Sequence, residues 1–281
     1  MKVISDIQQM QAWSKEIHRR RKTIGFVPTM GYLHEGHLSL MRRARKENDE
    51  LVISIFVNPT QFGPGEDFKR YPRNFSRDKE LSKSCGVDVI FYPRARDMYP
   101  QGYKTCVDVE YLSNVLCGAS RPGHFRGVST VVLKLFNIVQ PDAAYFGRKD
   151  AQQAIVVEKM VKDLNLALRI KTLPTIREKE GLALSSRNTY LNKQQRENAV
   201  ILYKSLQTAV GMIQSGHKDP RKIIAQMRKM IKSRRGARID YIRIVDIRSL
   251  TEVKRIKGRL LIAVAVFFGK TRLIDNVIKR A

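Results

Sequence analysis

Apolar and polar positions alternate along the first 175 residues in a way that predicts strands and helices in turn. Continuous β-branched and aromatic runs bounded by turn residues predict buried strands, and apolar residues three or four apart predict helices. The predicted strands lie at 3–4, 23–27, 51–57, 87–92, 143–146 and 168–174, and the predicted helices lie at 6–21, from 36 onward, at 75–85, at 128–139 and up to about 164. Because this order is typical of a parallel sheet with helices on both faces, residues 1–175 are predicted to form a Rossmann-like, doubly wound α/β domain.

The pattern changes at about residue 176. A polar loop at 177–188 is followed by two charged helices, predicted at 192–214 and 220–234, and by strand-like runs at 239–245, 259–268 and 273–278. This order predicts a smaller α+β domain over residues 176–281, which we expect to close over a site on the first domain.

The segment from Gly25 to Ala44 carries the strongest chemical signal. Pro28 lacks an N–H and is predicted to end the strand, and a turn then leads to His34-Glu35-Gly36-His37 at the start of a helix. Unpaired backbone N–H groups and the positive end of the helix dipole attract anions there, so a nucleotide phosphate is a fitting ligand. Gly36 would let a phosphate or adenine approach the backbone, and the two imidazoles would donate to phosphate oxygens. The alternative is a capped helix with two surface histidines.

Polar side chains also follow the other predicted strands. Gln61 lies in the loop at 58–65, and Gln153 lies near the start of a helix; each carboxamide could bind hydroxyl and carboxylate groups or be a plain surface amide. Lys149 could reach a phosphate or be solvated. Residues 184–188, Leu-Ser-Ser-Arg-Asn, could clamp a phosphate or simply form a cap or turn.

The net charge of +27 is concentrated toward the carboxyl end of the chain. Residues 177–281 hold 25 of the 53 Lys and Arg residues and only 8 of the 26 acidic ones. Such a charge is compatible with a nucleic-acid surface, with attraction of anionic substrates, or with a generally basic composition. Because the basic residues are spread along helices without interleaved aromatic residues, we expect no nucleic-acid partner.

The composition also indicates the class of protein. Apolar residues make up 43% of the chain, which is enough for a substantial core. Residues 1–11 do not resemble a signal peptide, and the longest apolar run, 260–268, is too short to cross a bilayer. The cysteines are odd in number and lack metal-ligand spacing, which is typical of reduced thiols in a cytoplasmic protein: Cys85, Cys106 and Cys117.

Several common catalytic motifs are missing from the chain. It has no Gly-x-x-x-x-Gly-Lys-Ser/Thr phosphate loop, no His-Glu-x-x-His and no Ser/His/Asp order. Any use of ATP would therefore go through the His-x-Gly-His segment. We expect such a site to favour attack at the α-phosphorus with pyrophosphate as the leaving group.

Several long motifs, in the same order and nearly end to end, resemble the pantothenate synthetase (pantoate–β-alanine ligase) family of His-x-Gly-His nucleotidyltransferases. They are residues 28–31 (PTMG), 33–37 (LHEGH), 55–62 (IFVNPTQF), 65–68 (GEDF), 71–73 (YPR), 121–128 (RPGHFRGV), 146–147 (FG), 149–153 (KDAQQ) and 185–188 (SSRN). The resemblance implies an Mg²⁺-dependent reaction in two steps. ATP and (R)-pantoate give pantoyl adenylate and pyrophosphate, and the amine of β-alanine then attacks the acyl carbon to give pantothenate and AMP.

The resemblance also implies which residues carry the reaction. Those placed at the ATP site are Met30, Gly31, Tyr32, Leu33, His34, Glu35, Gly36, His37, Gly147, Arg148, Lys149, Asp150, Ile176, Leu184, Ser185, Ser186 and Arg187. His37 matches the family's catalytic acid, and Gln61 and Gln153 match its pantoate-binding residues. We expect His34, His37, Lys149 and Arg187 to stabilise phosphate charge, and Asn58, Gln61 and Gln153 to align the carboxylate. The family also implies a homodimer.

Two positions depart from the family pattern. Arg148 stands where the family usually has Glu, so it could attract ATP, disturb Lys149, or do neither if it points to solvent. Leu184 replaces Met at nearly constant volume and should be a mild change. Asp78 could help to hold Mg²⁺, but its neighbour Arg77 stands where the family often has another acid, so the metal ligands stay open.

Two other functions compete with the ligase. One is a tRNA-handling member of the same nucleotidyltransferase group, which the charge favours. The chain, however, lacks a Lys-Met-Ser-Lys-Ser type loop and any appendage of the size that reads an anticodon. The other is a relic that keeps the fold without turnover. Pantoate-dependent consumption of ATP distinguishes the ligase from both.

Overall fold

The computed structural model describes all residues, Met1–Ala281, and divides into two compact units. The first unit comprises Met1–Asn114, Arg121–Arg148 and Gln152–Pro174. The second unit comprises Val115–Ser120, Lys149–Ala151 and Thr175–Ala281.

Nine strands and ten α-helices make up the chain. The strands are β1 (Lys2–Ile4), β2 (Ile24–Thr29), β3 (Glu50–Ile55), β4 (Val89–Phe91), β5 (Ala143–Gly147), β6 (Arg169–Leu173), β7 (Ala237–Asp246), β8 (Arg259–Phe268) and β9 (Thr271–Arg280). The helices are α1 (Ile7–Arg19), α2 (Glu35–Glu47), α3 (Phe75–Ser84), α4 (Ala95–Met98), α5 (Cys117–Ser120), α6 (His124–Val139), α7 (Ala151–Asp163), α8 (Lys193–Ala199), α9 (Ile201–Gln214) and α10 (Pro220–Lys232). Short 3₁₀ turns lie at Pro59–Gln61, Arg148–Asp150 and Ser186–Tyr190.

The first unit is built on a six-stranded parallel sheet in the order β1-β4-β3-β2-β5-β6. From β2 the chain moves through β3 to β4 on one side, and it then continues from β5 to β6 on the other. The order therefore reverses between β2 and β5, which is the doubly wound arrangement expected from the sequence. Strand β3 is almost continuously apolar because it lies inside the sheet and is covered on both faces. The carboxyl ends of β2, β3 and β5 therefore meet at one edge of the sheet, where open α/β folds bind ligands.

Strand β2 is longer than the sequence predicts. The sequence predicts that Pro28 ends it, yet Pro28 pairs with Ser54 and the ladder continues to Thr29 opposite Ile55. The carbonyl of Thr29 accepts the N–H of Phe56, so the polar groups of Thr29 point toward β3 and those of Pro28 point the other way. Pairing with β5 covers only residues 25 and 26, so the position of Pro28 needs no donor.

The second unit packs helices on a three-stranded antiparallel sheet in the order β7-β8-β9. Its core joins the apolar sides of α9, α10 and β8, with Leu206, Met227 and Val264 fully or almost fully buried. The single helix predicted at 192–214 is two helices. Val200 keeps helical dihedral angles but donates its N–H to Asn198 rather than to a residue four positions earlier, and this separates α8 from α9.

None of the helices combines the length and the apolar character that crossing a lipid bilayer requires.

Candidate active site

His34 and His37 cap the amino end of α2 through hydrogen bonds within its first turn. His34 is the N-cap residue; its Nδ1 accepts the N–H of Gly36 at 3.2 Å, and the Nδ1 of His37 accepts the N–H of His34 at 3.3 Å. The two rings lie with centroids 4.1 Å apart. Because each Nδ1 uses its lone pair as an acceptor, each neutral ring carries its proton on Nε2. The capped helix that the sequence offered as an alternative is therefore present, and its bonds leave an Nε2–H group on each ring.

The structure gives a reason for glycine at position 36 that the sequence did not suggest. A Cβ at this position would lie 2.9 Å from the imidazole of His34, so any side chain would push that ring away from its cap. The glycine thus makes room for a histidine of the same turn, in addition to whatever space it offers a ligand.

The loop before α2 is held by the buried carboxylate of Asp78. Its two oxygens accept the N–H groups of Tyr32 and Leu33, each at 2.7 Å, and Arg77 lies 4.0 Å away. Burial raises the pKa of Asp78 although these bonds oppose the rise. Gly31 has a φ of +80°, and a side chain there would meet the Asp78 carboxylate at 2.9 Å. Asp78 therefore fixes the tight turn that delivers His34 to the helix.

The neighbours of the two histidines face different surroundings. The side chain of Leu33 is fully buried in the core, and its carbonyl accepts a bond from Arg77 at 2.8 Å. Glu35 is exposed and forms an ion pair with Arg42. Tyr32 has a positive φ of 50° and lies under the guanidinium of Arg77.

Asn58 and Gln61 lie beside the histidine loop because β2 and β3 end in register. Both side chains are buried. The Nδ2 of Asn58 donates to the Oε1 of Gln61 at 3.1 Å, and the Nε2 of Gln61 donates to the Sδ of Met30 at 3.1 Å. The carboxamide of Gln61 therefore contacts the residue that opens the histidine loop, and the two loops share one edge of the sheet.

The backbone of Gln61 is fixed from its other side. Its carbonyl accepts bonds from the Nδ1 of His124 at 2.8 Å and from Arg121 at 3.2 Å, and Arg121 is paired with Glu66 at 2.6 Å. Glu66 keeps a lowered pKa, because its bonds with Arg121 outweigh its burial. Gly127 lets α6 approach this turn, since a Cβ there would lie 2.4 Å from the carbonyl of Thr60.

Sequence reasoning did not assign a role to Glu66, Arg121 or His124. Arg121 and His124 lie far from Gln61 in the sequence, and no local spacing connects them to it. The motif at 121–128 was the one signal available, and it carried no chemical interpretation of its own.

The third strand end belongs to β5. Gly147 ends that strand, and a Cβ at this position would have no neighbouring atom within 4 Å. Arg148 is exposed, which matches the solvent-facing alternative considered for it. Gln153 is half-buried in the first turn of α7, on the same edge of the sheet.

In the second unit, Lys149 is held in place on both its side chain and its backbone. Its ammonium is paired with Asp150 at 3.1 Å, and its carbonyl accepts the Nδ2 of Asn276 at 2.8 Å. The ammonium is therefore a partly buried, oriented charge rather than a fully solvated one.

The second unit also brings Ile176 next to Leu184, whose N–H donates to the carbonyl of Ile176 at 3.0 Å. Ser185 caps the following 3₁₀ turn by accepting the N–H of Arg187, so one of its two proposed interpretations, the cap, is present. Ser186 is buried and Arg187 is half-buried. The hairpin at 177–183 is anchored by Arg177, which forms two bonds to Asp275 at 2.6 and 2.9 Å.

No group of three or more His, Cys, Asp and Glu side chains is arranged to hold a metal ion. Asp78, the carboxylate considered for Mg²⁺, already accepts a backbone N–H on each oxygen.

In chemical terms, the edge of the first unit offers two oriented imidazoles at a helix start and a carboxamide held at both ends. Donors fixed in this way stabilise a developing negative charge without reorganisation, and they can align an acid for attack.

The family model of pantoate-beta-alanine ligase matches residues 2–278. A pantothenate synthetase of Caldicellulosiruptor bescii is 53% identical over 281 residues and all of both chains, and one of Acetivibrio thermocellus is 56% identical over 278 residues and 99% of each. The crystal structure of pantothenate synthetase from Thermus thermophilus is 44% identical with a TM-score of 0.94 over 99% of both chains. Pantoate-beta-alanine ligase from Francisella tularensis, complexed with beta-gamma ATP and beta-alanine, is 36% identical with a TM-score of 0.82 over 99% of this chain and 97% of that one.

Proposed function

The chain belongs to the pantoate–β-alanine ligase family, and from that membership we propose how its residues perform the ligase reaction. The enzyme condenses (R)-pantoate with β-alanine at the expense of ATP. In the first step a pantoate carboxylate oxygen bonds to the α-phosphorus, and the bond to the pyrophosphate leaving group breaks. In the second step the β-alanine nitrogen bonds to the acyl carbon of pantoyl adenylate and loses a proton, and AMP leaves.

His34 and His37 stabilise the first step. Their Nε2–H groups donate to phosphate oxygens whose charge grows as pyrophosphate departs, and His37, which matches the family's catalytic residue, acts here as a hydrogen-bond donor. The observation that carries this assignment is the capping geometry, which fixes the tautomer of both rings. The backbone around Gly31 and Gly36 gives the nucleotide a close approach at the amino end of α2.

Gln61, with Asn58 behind it, binds the pantoate, and Gln153 contacts the same substrate from the first turn of α7. The support is their common position at the carboxyl edge of the sheet and the fixed carboxamide of Gln61. Holding the acid in line with the α-phosphorus converts a bimolecular step into an effectively unimolecular one.

The second unit contributes groups that bind ATP. Lys149 and Arg187 offer positive charge to the phosphates, and Ser185, Ser186, Asp150 and the backbone of Ile176 and Leu184 offer hydrogen bonds. Their support is the orientation of Lys149 by Asp150 and Asn276 and the ordered turn at Ser186–Tyr190.

Mg²⁺ enters with the nucleotide in this proposal. The ion commonly binds through substrate phosphates and one or two carboxylates rather than in an all-protein cage. Its chemistry is charge neutralisation on the triphosphate.

We propose a cytoplasmic homodimer as the working form. The family supports the dimer, and three cysteines that form no disulfide support a reducing compartment. A molecular mass by light scattering near twice 32.3 kDa at micromolar concentration is the expected result. A monomer mass would contradict the dimer without touching the reaction.

The reaction itself is tested by measuring AMP and pantothenate from purified protein with ATP, Mg²⁺, pantoate and β-alanine. We expect the two products in equal amounts, with neither formed when pantoate is left out. Retention of RNA without any pantoate-dependent use of ATP would favour the tRNA-handling alternative.

A further inference from the structure

A chain of hydrogen bonds runs from the phenol of Tyr99 to the carboxamide of Gln61. The hydroxyl of Tyr99 donates to the Oδ1 of Asn58 at 2.8 Å, and the Nδ2 of Asn58 donates to the Oε1 of Gln61 at 3.1 Å. Tyr99 directly follows α4, 41 positions beyond Asn58 in the chain, and the proposed reaction gives it no role.

The bonds around Asn58 leave its carboxamide only one orientation. Its Oδ1 accepts from Tyr99 and from the hydroxyl of Thr60 at 3.0 Å, while its Nδ2 also donates to the carbonyl of Gly127 at 3.1 Å. A flipped amide would place its N–H₂ against the backbone N–H of Thr60 and its oxygen against the carbonyl of Gly127, and neither backbone group can change its role. Asn58 is 1% exposed, so water cannot compensate for such a mismatch.

The orientation is passed on to Gln61. Because its Oε1 accepts from Asn58, its Nε2 group faces the other way, toward the sulfur of Met30. Sulfur is a weak acceptor, so this N–H₂ group gains from meeting a stronger one, such as an oxygen of an acid.

We propose that Tyr99 is a positioning residue that holds Asn58 in place and so keeps the N–H₂ end of the Gln61 carboxamide turned to the substrate. This end selects a carboxylate or hydroxyl lone pair and disfavours a group that must donate. The inference rests on the proposed function, because it requires Gln61 to contact the acid.

Tyr99 is itself held by aromatic contacts. Its ring packs edge-on against Tyr103 at 5.1 Å and near Phe56 at 6.4 Å, and the ammonium of Lys134 lies 5.8 Å from it. Burial raises the pKa of Tyr99, so its hydroxyl stays protonated and remains a donor throughout the neutral range. These contacts survive removal of the hydroxyl, so Tyr99→Phe isolates the hydrogen bond to Asn58 from the packing.

The test compares Tyr99→Phe with Tyr103→Phe. The second substitution removes a hydroxyl from the same aromatic pair, but that hydroxyl forms no bond to Asn58. Steady-state rates give the KM for pantoate and for ATP, and calorimetry gives the Kd for pantoate in the presence of α,β-methylene ATP, which cannot react at the α-phosphorus. For Tyr99→Phe we expect both pantoate constants to rise about three- to tenfold, as for loss of one neutral hydrogen bond, with the KM for ATP unchanged. Tyr103→Phe should match the unaltered protein.

A double-mutant cycle shows whether the effect passes through Asn58. In an Asn58→Ala background, Tyr99→Phe should no longer change the pantoate constants. Unchanged pantoate constants in Tyr99→Phe, or a parallel rise in the constants for pantoate and ATP, would overturn the inference. A lack of turnover by the unaltered protein would instead contradict the proposed function, and a lack of pantoate binding would overturn both.

Discussion

The backbone N–H of His34 donates to the Nδ1 of His37, 3.3 Å away, so the residue that begins helix α2 is capped by the histidine three positions later. Glu or Gln usually fills that third position in a capping box. Here an imidazole fills it, and the cap decides where the ring keeps its proton. The same bond thus serves the helix and the chemistry of the proposed phosphate site.

Substituting His37 separates these two uses. His37→Ala should slow pantoate-dependent pyrophosphate release by several hundred-fold or more, since one well-placed donor contributes on the order of 10²–10³. His37→Gln restores a side chain suited to the cap, so its thermal midpoint should stay near that of the unaltered protein while its rate stays low. A near-normal rate of pyrophosphate release in either variant would refute the role assigned to His37.

Asp78 is expected to affect the rate without touching a substrate. In Asp78→Asn one oxygen still accepts a backbone N–H, but the new N–H₂ group opposes the other, so the turn before His34 shifts. A displacement of about 1 Å can cost on the order of 10² in rate, and we expect a loss of at least about tenfold in pyrophosphate release.

The matched control for Asp78 is Glu80→Gln, which makes the same charge change at an exposed position of α3. It should leave the rate unaltered. If Asp78→Asn were as active as this control, the turn would not depend on the buried carboxylate.

Gln61→Glu places a carboxylate where the substrate is expected to bring its own. Like charges placed together cost several kcal/mol, so the KM for pantoate should rise roughly 100-fold while the KM for ATP changes little. Gln101→Glu, at an exposed turn, should leave both constants as they are. Ordinary pantoate kinetics in Gln61→Glu would remove Gln61 from the substrate site.

Titration of Tyr145 is expected to lower the stability of the fold as the pH rises. Its hydroxyl donates to Glu47 and accepts from Asn48, each at 2.8 Å, and burial together with Glu47 raises the pKa of Tyr145 to about 12. The unfolded value is about 10. The stabilisation is therefore complete below about pH 10 and falls as pH rises toward 12, by about 2–3 kcal/mol in the free energy of unfolding.

Tyr145→Phe lacks this titration and provides the comparison. Urea unfolding can be followed by the fluorescence of the single tryptophan, Trp13 in α1. The difference in the free energy of unfolding between the two proteins should narrow from about pH 9 to about pH 12. A gap that stays constant over this range would show that Tyr145 titrates alike in the folded and unfolded chains.

The sheet was predictable because its signals are local. Periodicity located each strand within a few residues, and the strand containing Pro28 was predicted to end before that proline although it continues to Thr29. That error arose because a proline is tolerated wherever the neighbouring strand has already ended, a fact about β5, which is far from Pro28 in the sequence. The break at Val200 is likewise invisible in a continuous helical pattern.

The candidate site was predictable only where chemistry and spacing coincide. His34 and His37 can be recognised from the sequence by their position at a helix start. Asp78, Tyr99 and His124 instead act through bonds that join residues 41 to 63 positions apart. The sequence left the Mg²⁺ ligands open, and nothing in it indicated that the carboxylate of Asp78 accepts two backbone N–H groups. Such supporting bonds depend on how the loops meet, which no local pattern encodes.

The sharpest test of adenylate formation at this edge of the sheet is exchange of labelled pyrophosphate into ATP in the absence of β-alanine. We expect exchange that requires pantoate, is lost in His37→Ala, and is accompanied by little AMP release until β-alanine is added. Exchange that proceeds without pantoate, or AMP release that depends on β-alanine with no exchange before it, would contradict a pantoyl adenylate formed at the paired histidines.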